Sequence, residues 1–318
     1  MHSQSTTVFA GIDVSKDVVD FFFLNGKKEA SGQRPRTPHS LAKLASKLVR
    51  HNVRAVVMEA TGGLELPVWE ALEGVGIQVV VANPKRVRDF ARSMGFLAKT
   101  DKLDARVLAL YGERMKPRIT SLPSPEIREL RALMHHLGFL VDTRAQFRTR
   151  IQEEKSADAV ESMQRMIEHY SAEIAVVEKQ IEEALNQLPD ERRRVAQLQT
   201  APGVGVKTAW ALVAELPELG QLSGREVAAI AGLAPVACES GKYQGKRRIA
   251  GGRSRLRKAL YMAARAAHRS DPHMKEFRER ILAKGKPKQV AVIAVARKLL
   301  VALNAMARDQ NTWIPQNA

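Results

Sequence analysis

The sequence predicts a chain of mixed class: an α/β domain over residues 1–120, a helical connector over 121–194 and a mostly α C-terminal domain over 195–318. Three observations lead there. Up to about residue 115, short apolar runs alternate with segments of helical spacing. From Glu126 to Leu188 there is no proline, and Ile167, Ile174, Ile181 and Leu188 recur every seven residues. Beyond that, apolar helical segments are separated by glycine-containing turns.

In chain order, Val8 to Asp13 is a short apolar run that ends in an acid. Val18 to Leu24 is a second run, and the Asn25-Gly26 after it is a strong hairpin signal. Leu41, Leu44, Ala45 and Leu48 give Ser40 to Val49 a helical period. Ala55 to Met58 is continuously apolar, as in a strand covered on both faces, and it too ends in an acid, Glu59. Gly62-Gly63 turns into a helix from Leu64 to Leu72, and Ile77 to Ala82 reads as a further buried strand. Helices follow over Lys85 to Met94 and Asp101 to Met115. Together these elements make a layered α/β domain with a mixed sheet.

Pro117, Pro123 and Pro125 mark the passage into the connector. There Tyr170, Val177 and Ala184 fall three positions after the first three isoleucines, an a/d pattern of about three heptads. It fits either a dimerisation arm or an antiparallel hairpin packed on its own chain. The last part opens with Pro202-Gly203-Val204-Gly205 between helical segments, a turn resembling a helix-hairpin-helix motif. Ser223 with Glu226 forms a capping-box pair, and Leu256 to Ala267 and Val290 to Met306 read as helices.

The net charge of the 318 residues is +17, which attracts polyanions. No apolar run reaches the roughly 18 residues of a spanning helix, and the N-terminus has no basic-then-apolar signal pattern, so no membrane partner is expected. The lone Cys238 gives no disulfide framework and no thiolate zinc site. A cytoplasmic protein, on the nucleoid when active, is the expectation.

Asp13 and Glu59 each close an apolar strand. If those strands are parallel neighbours, both acids emerge at one sheet edge, where α/β sheets bind ligands. Asp101 and Asp104, at the start of a helix, project on one face. Four oxygen ligands suit a hard cation, magnesium or manganese, of the kind that assists phosphoryl displacement. Each acid alone is more simply a cap or a solvated strand end. Their clustering within a basic rim of Lys85, Arg86, Arg88, Lys99 and Lys102 is what favours a phosphodiester site.

Ser240 begins a second constellation. From Gly241 to Arg269 there are Lys242, Lys246, Arg247, Arg248, Arg253, Arg255, Arg257 and Lys258 among the cations, and no acid. A serine beside such a loop could attack phosphorus; the residue chemistry by itself favours a backbone-binding loop whose serine only donates a hydrogen bond. Gly203, Gly205 and Lys207 offer a helix N-terminus to phosphate. The Gly-Lys-Ser/Thr ending of a nucleotide-binding loop is absent there.

Gly11-Ile12-Asp13-Val14-Ser15-Lys16, Met58-Glu59-Ala60-Thr61-Gly62-Gly63, Lys99-Thr100-Asp101-Lys102-Leu103-Asp104-Ala105, and Ser240-Gly241 followed by Gly251-Gly252 and Leu256-Arg257 stand in order along nearly the whole chain. As a set they resemble the DEDD transposases of the IS-one-ten insertion elements, also called bridge recombinases. The resemblance implies a RuvC-like, RNase H-type N-terminal domain, a coiled-coil connector and a C-terminal transposase domain. It implies magnesium on Asp13, Glu59, Asp101 and Asp104, and a nucleophilic Ser240 forming a transient phosphoserine link to DNA, against the preference stated above. Its further implications are a non-coding bridge RNA pairing donor and target double-stranded DNA, a homodimer that becomes a tetramer on DNA, and sites composed from two subunits. Leu64 departs from the tyrosine that many relatives carry there. Two other readings compete: a Holliday-junction-resolvase-like nuclease using metal-activated water, and a nucleic-acid-binding scaffold.

Overall fold

The computed structural model describes residues 8–25, 28–96, 100–237, 239–240, 243–245 and 247–314. They form two compact units, 1–123 and 124–318.

In the first unit, β1 (Val8–Val14), β2 (Val18–Asn25) and β3 (Lys28–Pro35) form an antiparallel meander. β4 (Val53–Glu59) and β5 (Gln78–Ala82) extend it in parallel, giving the order β3-β2-β1-β4-β5. This mixed sheet is compatible with an RNase H-like fold. β3 was not expected as a strand from its own residues: as a polar edge it lacks the alternation that marks a half-buried strand. The helices between and after these strands are α1 (Pro38–Arg50), α2 (Leu66–Glu73), α3 (Pro84–Ser93) and α4 (Asp101–Met115), each starting near the expected residue.

The strand period sorts residues onto two faces. Ala10, Ile12, Val56 and Met58 pack with Leu41, Leu44 and Leu48 of α1 and Trp69 and Leu72 of α2. Val57 and Val80 pack on the other face with Val87 of α3 and Leu108 of α4. Burial on both sides explains the uninterrupted apolar run of β4.

The second unit is helical. α5 (Pro125–Arg150) and α6 (Ala157–Asn186) form an antiparallel hairpin, with the Phe147 ring 5.8 Å from Tyr170 and Arg144 donating to Ser171 Oγ at 3.1 Å. Ile167, Ile174, Val177 and Ile181 are buried in a core with Leu130, Leu137 and Leu140. The heptad stripe thus finds its partner within the chain, and of its two readings the hairpin accounts for that burial. The same core continues through α7 (Pro189–Gln199), α8 (Val206–Glu215), α9 (Gly224–Ile230), α10 (Ser254–Ser270), α11 (Pro272–Ala283) and α12 (Lys288–Asp309). The capping box at Ser223 and Glu226 is formed. α11, capped by Asp271, is too polar to announce itself by period. By length and composition α12 could cross a membrane, but it buries Val295, Leu299, Leu300 and Leu303 in this core.

Candidate active site

β1 and β4 run parallel with Ile12 opposite Met58, so the next residues, Asp13 and Glu59, end adjacent strands side by side. Both lie on the α4 face, because Gly11 and Val57, two residues earlier, meet that helix. A Cβ on Gly11 would lie 2.0 Å from the Ala105 carbonyl oxygen, and one on Gly112 would lie 2.6 Å from the Phe9 ring. The pairings 9 with 112 and 11 with 105–109 make α4 antiparallel to β1. One further turn, about 5.4 Å along the helix, carries its start toward the strand end where Asp13 stands, about 7 Å beyond Gly11. Thr100 caps that start, its side chain accepting from Leu103 N, so Asp101 and Asp104 occupy the first turn of α4.

The loops around this edge are braced by groups that pattern reading passed over. Buried Glu65 accepts from Thr61 N at 3.3 Å, Thr61 Oγ1 at 2.5 Å and Gly63 N at 2.8 Å, which shapes the turn after Glu59. Gly62 and Gly63 have φ of 81° and 120° there, which a side chain would resist. Arg36 donates to the Lys16 carbonyl at 2.8 Å and to the Leu64 carbonyl at 3.3 Å, tying the turn after β1 to the turn after β4.

Asp20 is a further acid of this edge. It is the register partner of Asp13 on β2, so its side chain emerges on the same face. It is 5% exposed and accepts from Gln33 Nε2 at 3.0 Å. An acid alternating with Val19, Phe21 and Phe23 was the available signal. The donor set is all oxygen, which fits a hard divalent ion. Among the described side chains, no three acids, histidines or cysteines are grouped closely enough to hold one. The Asp101 side chain lies outside the described part.

In the second unit, the chain leaves the core at Leu233 and returns at Arg253. β6 (Pro235–Val236) pairs with β9 (Arg248–Ile249), and β7 (Glu239–Ser240) pairs with β8 (Tyr243–Gln244), placing Ser240 opposite Tyr243. The base of this hairpin is clamped. Arg253 N donates to the Ile230 carbonyl at 2.8 Å. A Cβ on Gly252 would lie 2.2 Å from Gly232 N, and both glycines have positive φ. The Arg253 guanidinium donates to both Glu218 oxygens at 2.8 Å and to the Glu215 carbonyl at 2.7 Å. His135 pairs with the Glu215 carboxylate at 2.8 Å. Burial works to raise the Glu218 carboxyl, but the hydrogen bond and charge of Arg253 outweigh it and hold it below the ordinary range.

Two transposase families match this chain. One, described as "Transposase", covers residues 10–154 and the acid edge; the other, described as "Transposase IS116/IS110/IS902 family", covers 195–279 and the serine hairpin. The "Pilin gene-inverting protein" of Moraxella lacunata is 30% identical over 96% of this chain and 97% of its own length, and that of Moraxella bovis matches equally. The chain belongs to the IS110 transposase family. The transposase is thus an enzyme of DNA transposition or recombination with DNA as its substrate, and its DEDD class implies a divalent metal ion. An insertion-element IS110 protein of Streptomyces coelicolor is 31% identical over 41% of the chain and 32% of its own length.

Of the cations expected on nucleic acid, Lys85 and Arg86 are exposed on the first turn of α3 of the transposase, with Arg88 half-buried. Arg247, Arg248 and Arg255 are exposed around the serine hairpin. Others commit their charge inside the chain: Arg253 to Glu218, Arg257 to the Gly251 carbonyl at 2.6 Å, Lys258 to Asp142 and Lys207 to Glu178. The acids that pair with Arg253, Lys258 and Lys207 come from distant segments, so the sequence could not show them. Gly203 meets α10, where a Cβ would lie 2.3 Å from the Ala263 carbonyl oxygen, and Gly205 caps α8 in open space. Lys99, Lys242 and Lys246 lie outside the described residues, as do the side chains of Lys102 and Ser240.

Proposed function

We propose that this transposase cuts and rejoins DNA through Ser240, assisted by a magnesium or manganese ion on Asp13, Glu59, Asp101 and Asp104. The observation that carries the reading is the in-register meeting of Asp13 and Glu59 beside the start of α4, in a chain that also lifts Ser240 onto a basic hairpin. The Ser240 oxygen attacks phosphorus, the P–O bond to one DNA strand breaks, and that strand leaves with a free hydroxyl after taking up a proton. A DNA hydroxyl then attacks the phosphoserine, forming the new P–O bond and restoring the serine. One phosphodiester is exchanged for another, so rejoining needs no nucleotide cofactor. A bound divalent ion would stabilise negative charge on the phosphoryl oxygens. Arg247, Arg248 and Arg255 hold the strand by its backbone.

A non-coding guide RNA pairs with donor and target DNA, so that base pairing carries sequence while the protein reads backbone. The motif set and the +17 charge support this part. The working assembly is a homodimer that becomes a tetramer on DNA, in which the acids of one subunit complement the serine of another. Gene inversion, which the names of the Moraxella relatives state, needs the same exchange chemistry.

Trapping on nicked duplex followed by peptide mapping tests the serine. A DNA adduct on Ser240 is expected, absent in Ser240→Ala; an adduct that survives the substitution sinks the assignment. The acid edge alone also suits hydrolysis by metal-activated water, and free ends with no protein-linked intermediate would establish that reading instead.

A further inference from the structure

α10 turns an unusual face to solvent. Arg255, Lys258, Met262, Arg265 and Arg269 are exposed at spacings of three and four, which is one stripe of a helix. From Gly241 to Ser270 the chain has no acid. Three exposed cations on α6 and α7 pair with acids three or four residues away: Arg165 with Glu161, Lys179 with Glu183, Arg193 with Asp190. Among the described residues, Arg265 and Arg269 make no ion pair or hydrogen bond through their guanidinium groups, and neither does Arg278 of α11, which packs on α10.

Arg265 and Arg269 stand one turn apart on α10, and α11, which carries Arg278, packs against that helix. His268 lies among them, held below the ordinary imidazole range first by burial and then by Arg278, Arg269 and Arg265. The Nε of Arg278 is buried with no hydrogen-bond partner. Unneutralised like charges with an unsatisfied buried donor cost stability. An anion placed between the helices would relieve both. The stripe from Arg255 to Arg269 spans about 21 Å at 1.5 Å per residue. That matches about six phosphates of one strand at 3.4 Å of rise each.

We propose that Arg265, Arg269 and Arg278 form a phosphate-binding site for the DNA backbone, at the far end of a track that starts at Arg255 beside the serine hairpin. The chemistry is sequence-independent: guanidinium groups take phosphate oxygens bidentately. None of these three arginines belongs to the residues proposed for strand exchange, so the site is separable from that chemistry.

The test is binding, not catalysis. Anisotropy of a labelled 30-base-pair duplex of arbitrary sequence is measured on the full chain across a salt series. Arg265→Gln/Arg269→Gln/Arg278→Gln should flatten the plot of log affinity against log salt by about two to three and weaken binding at least about tenfold. The control Arg165→Gln/Arg193→Gln, which removes paired arginines, should leave the slope unchanged. An unchanged slope in a folded triple variant overturns the proposal, and so does a slope change confined to duplex RNA. If the triple variant does not fold, phenylglyoxal modification of the natural chain decides. Duplex DNA should protect these three arginines; equal modification with and without it overturns the site.

Discussion

Asp13 and Glu59 end strands in a five-stranded sheet covered by helices on both faces, whereas Ser240 stands on strand pairs only two residues long. The acid edge is fixed by packing: Gly11 lets α4 touch β1, and a buried core holds the register. Among its described side chains the serine hairpin buries none fully, and it depends on clamped ends, through Gly232, Gly252 and Arg253. Position is therefore set at the acids by shape and at the serine by a few charged hydrogen bonds at its base. The first kind of support resists small changes of charge, and the second resists small changes of volume.

The comparison breaks most sharply at Asp13. On the proposed chemistry, Asp13→Asn brings strand exchange to background while duplex binding stays near normal, read by exchange assay beside anisotropy; loss of binding as well would make the acid structural. Asp20→Asn tests whether the register partner supports the same edge. A loss of about 10–100-fold in exchange is expected for a group that orients ligands, with a weaker thermal shift on adding manganese; an unchanged manganese response would leave Asp20 a packing residue.

Arg253→Gln should loosen the hairpin, with faster amide exchange from Pro235 to Ile249 and a stability loss of about 1–2 kcal/mol at pH 7, modest because the pair is about a third exposed. The sign with pH follows from Glu218, whose folded pKa is depressed. Its contribution is complete above the unfolded carboxyl value near 4.3 and is lost as pH falls through the lower folded value. The gap between natural chain and variant in urea unfolding should therefore narrow below about pH 4. A gap that stays constant on acidification would remove Glu218 from the clamp.

Two glycines sharpen the packing side. Gly11→Ala drives a methyl into α4 backbone and should cost about 1–3 kcal/mol, since backbone cannot step aside as a flexible side chain does. Gly138→Ala, in open space within α5, should stabilise by up to about 1 kcal/mol. Equal effects in thermal melts would contradict the tight β1–α4 contact.

Much of this was open to reading in one dimension. The acids at Asp13 and Glu59 announced themselves as ends of apolar runs, and Ser223 with Glu226 as a capping pair, because those signals act over a few residues. β3 and α11 were missed because their faces are polar. Asp20 was missed because its apolar neighbours mark a strand without saying which strand lies beside it. Lys207, Arg253 and Lys258 looked like free cations because Glu178, Glu218 and Asp142 are far away in sequence.

By itself, then, the sequence determined the kinds of most elements, their order, the candidate site residues and, through the motif set, the family. These follow from period, caps and local spacing. Only the tertiary structure decided that Asp13 and Glu59 end adjacent strands, that Asp20 is the register partner of Asp13, and which cations face inward and which outward along α10. Those outcomes depend on strand register and on pairs between distant segments, which long-range packing selects and local sequence does not encode.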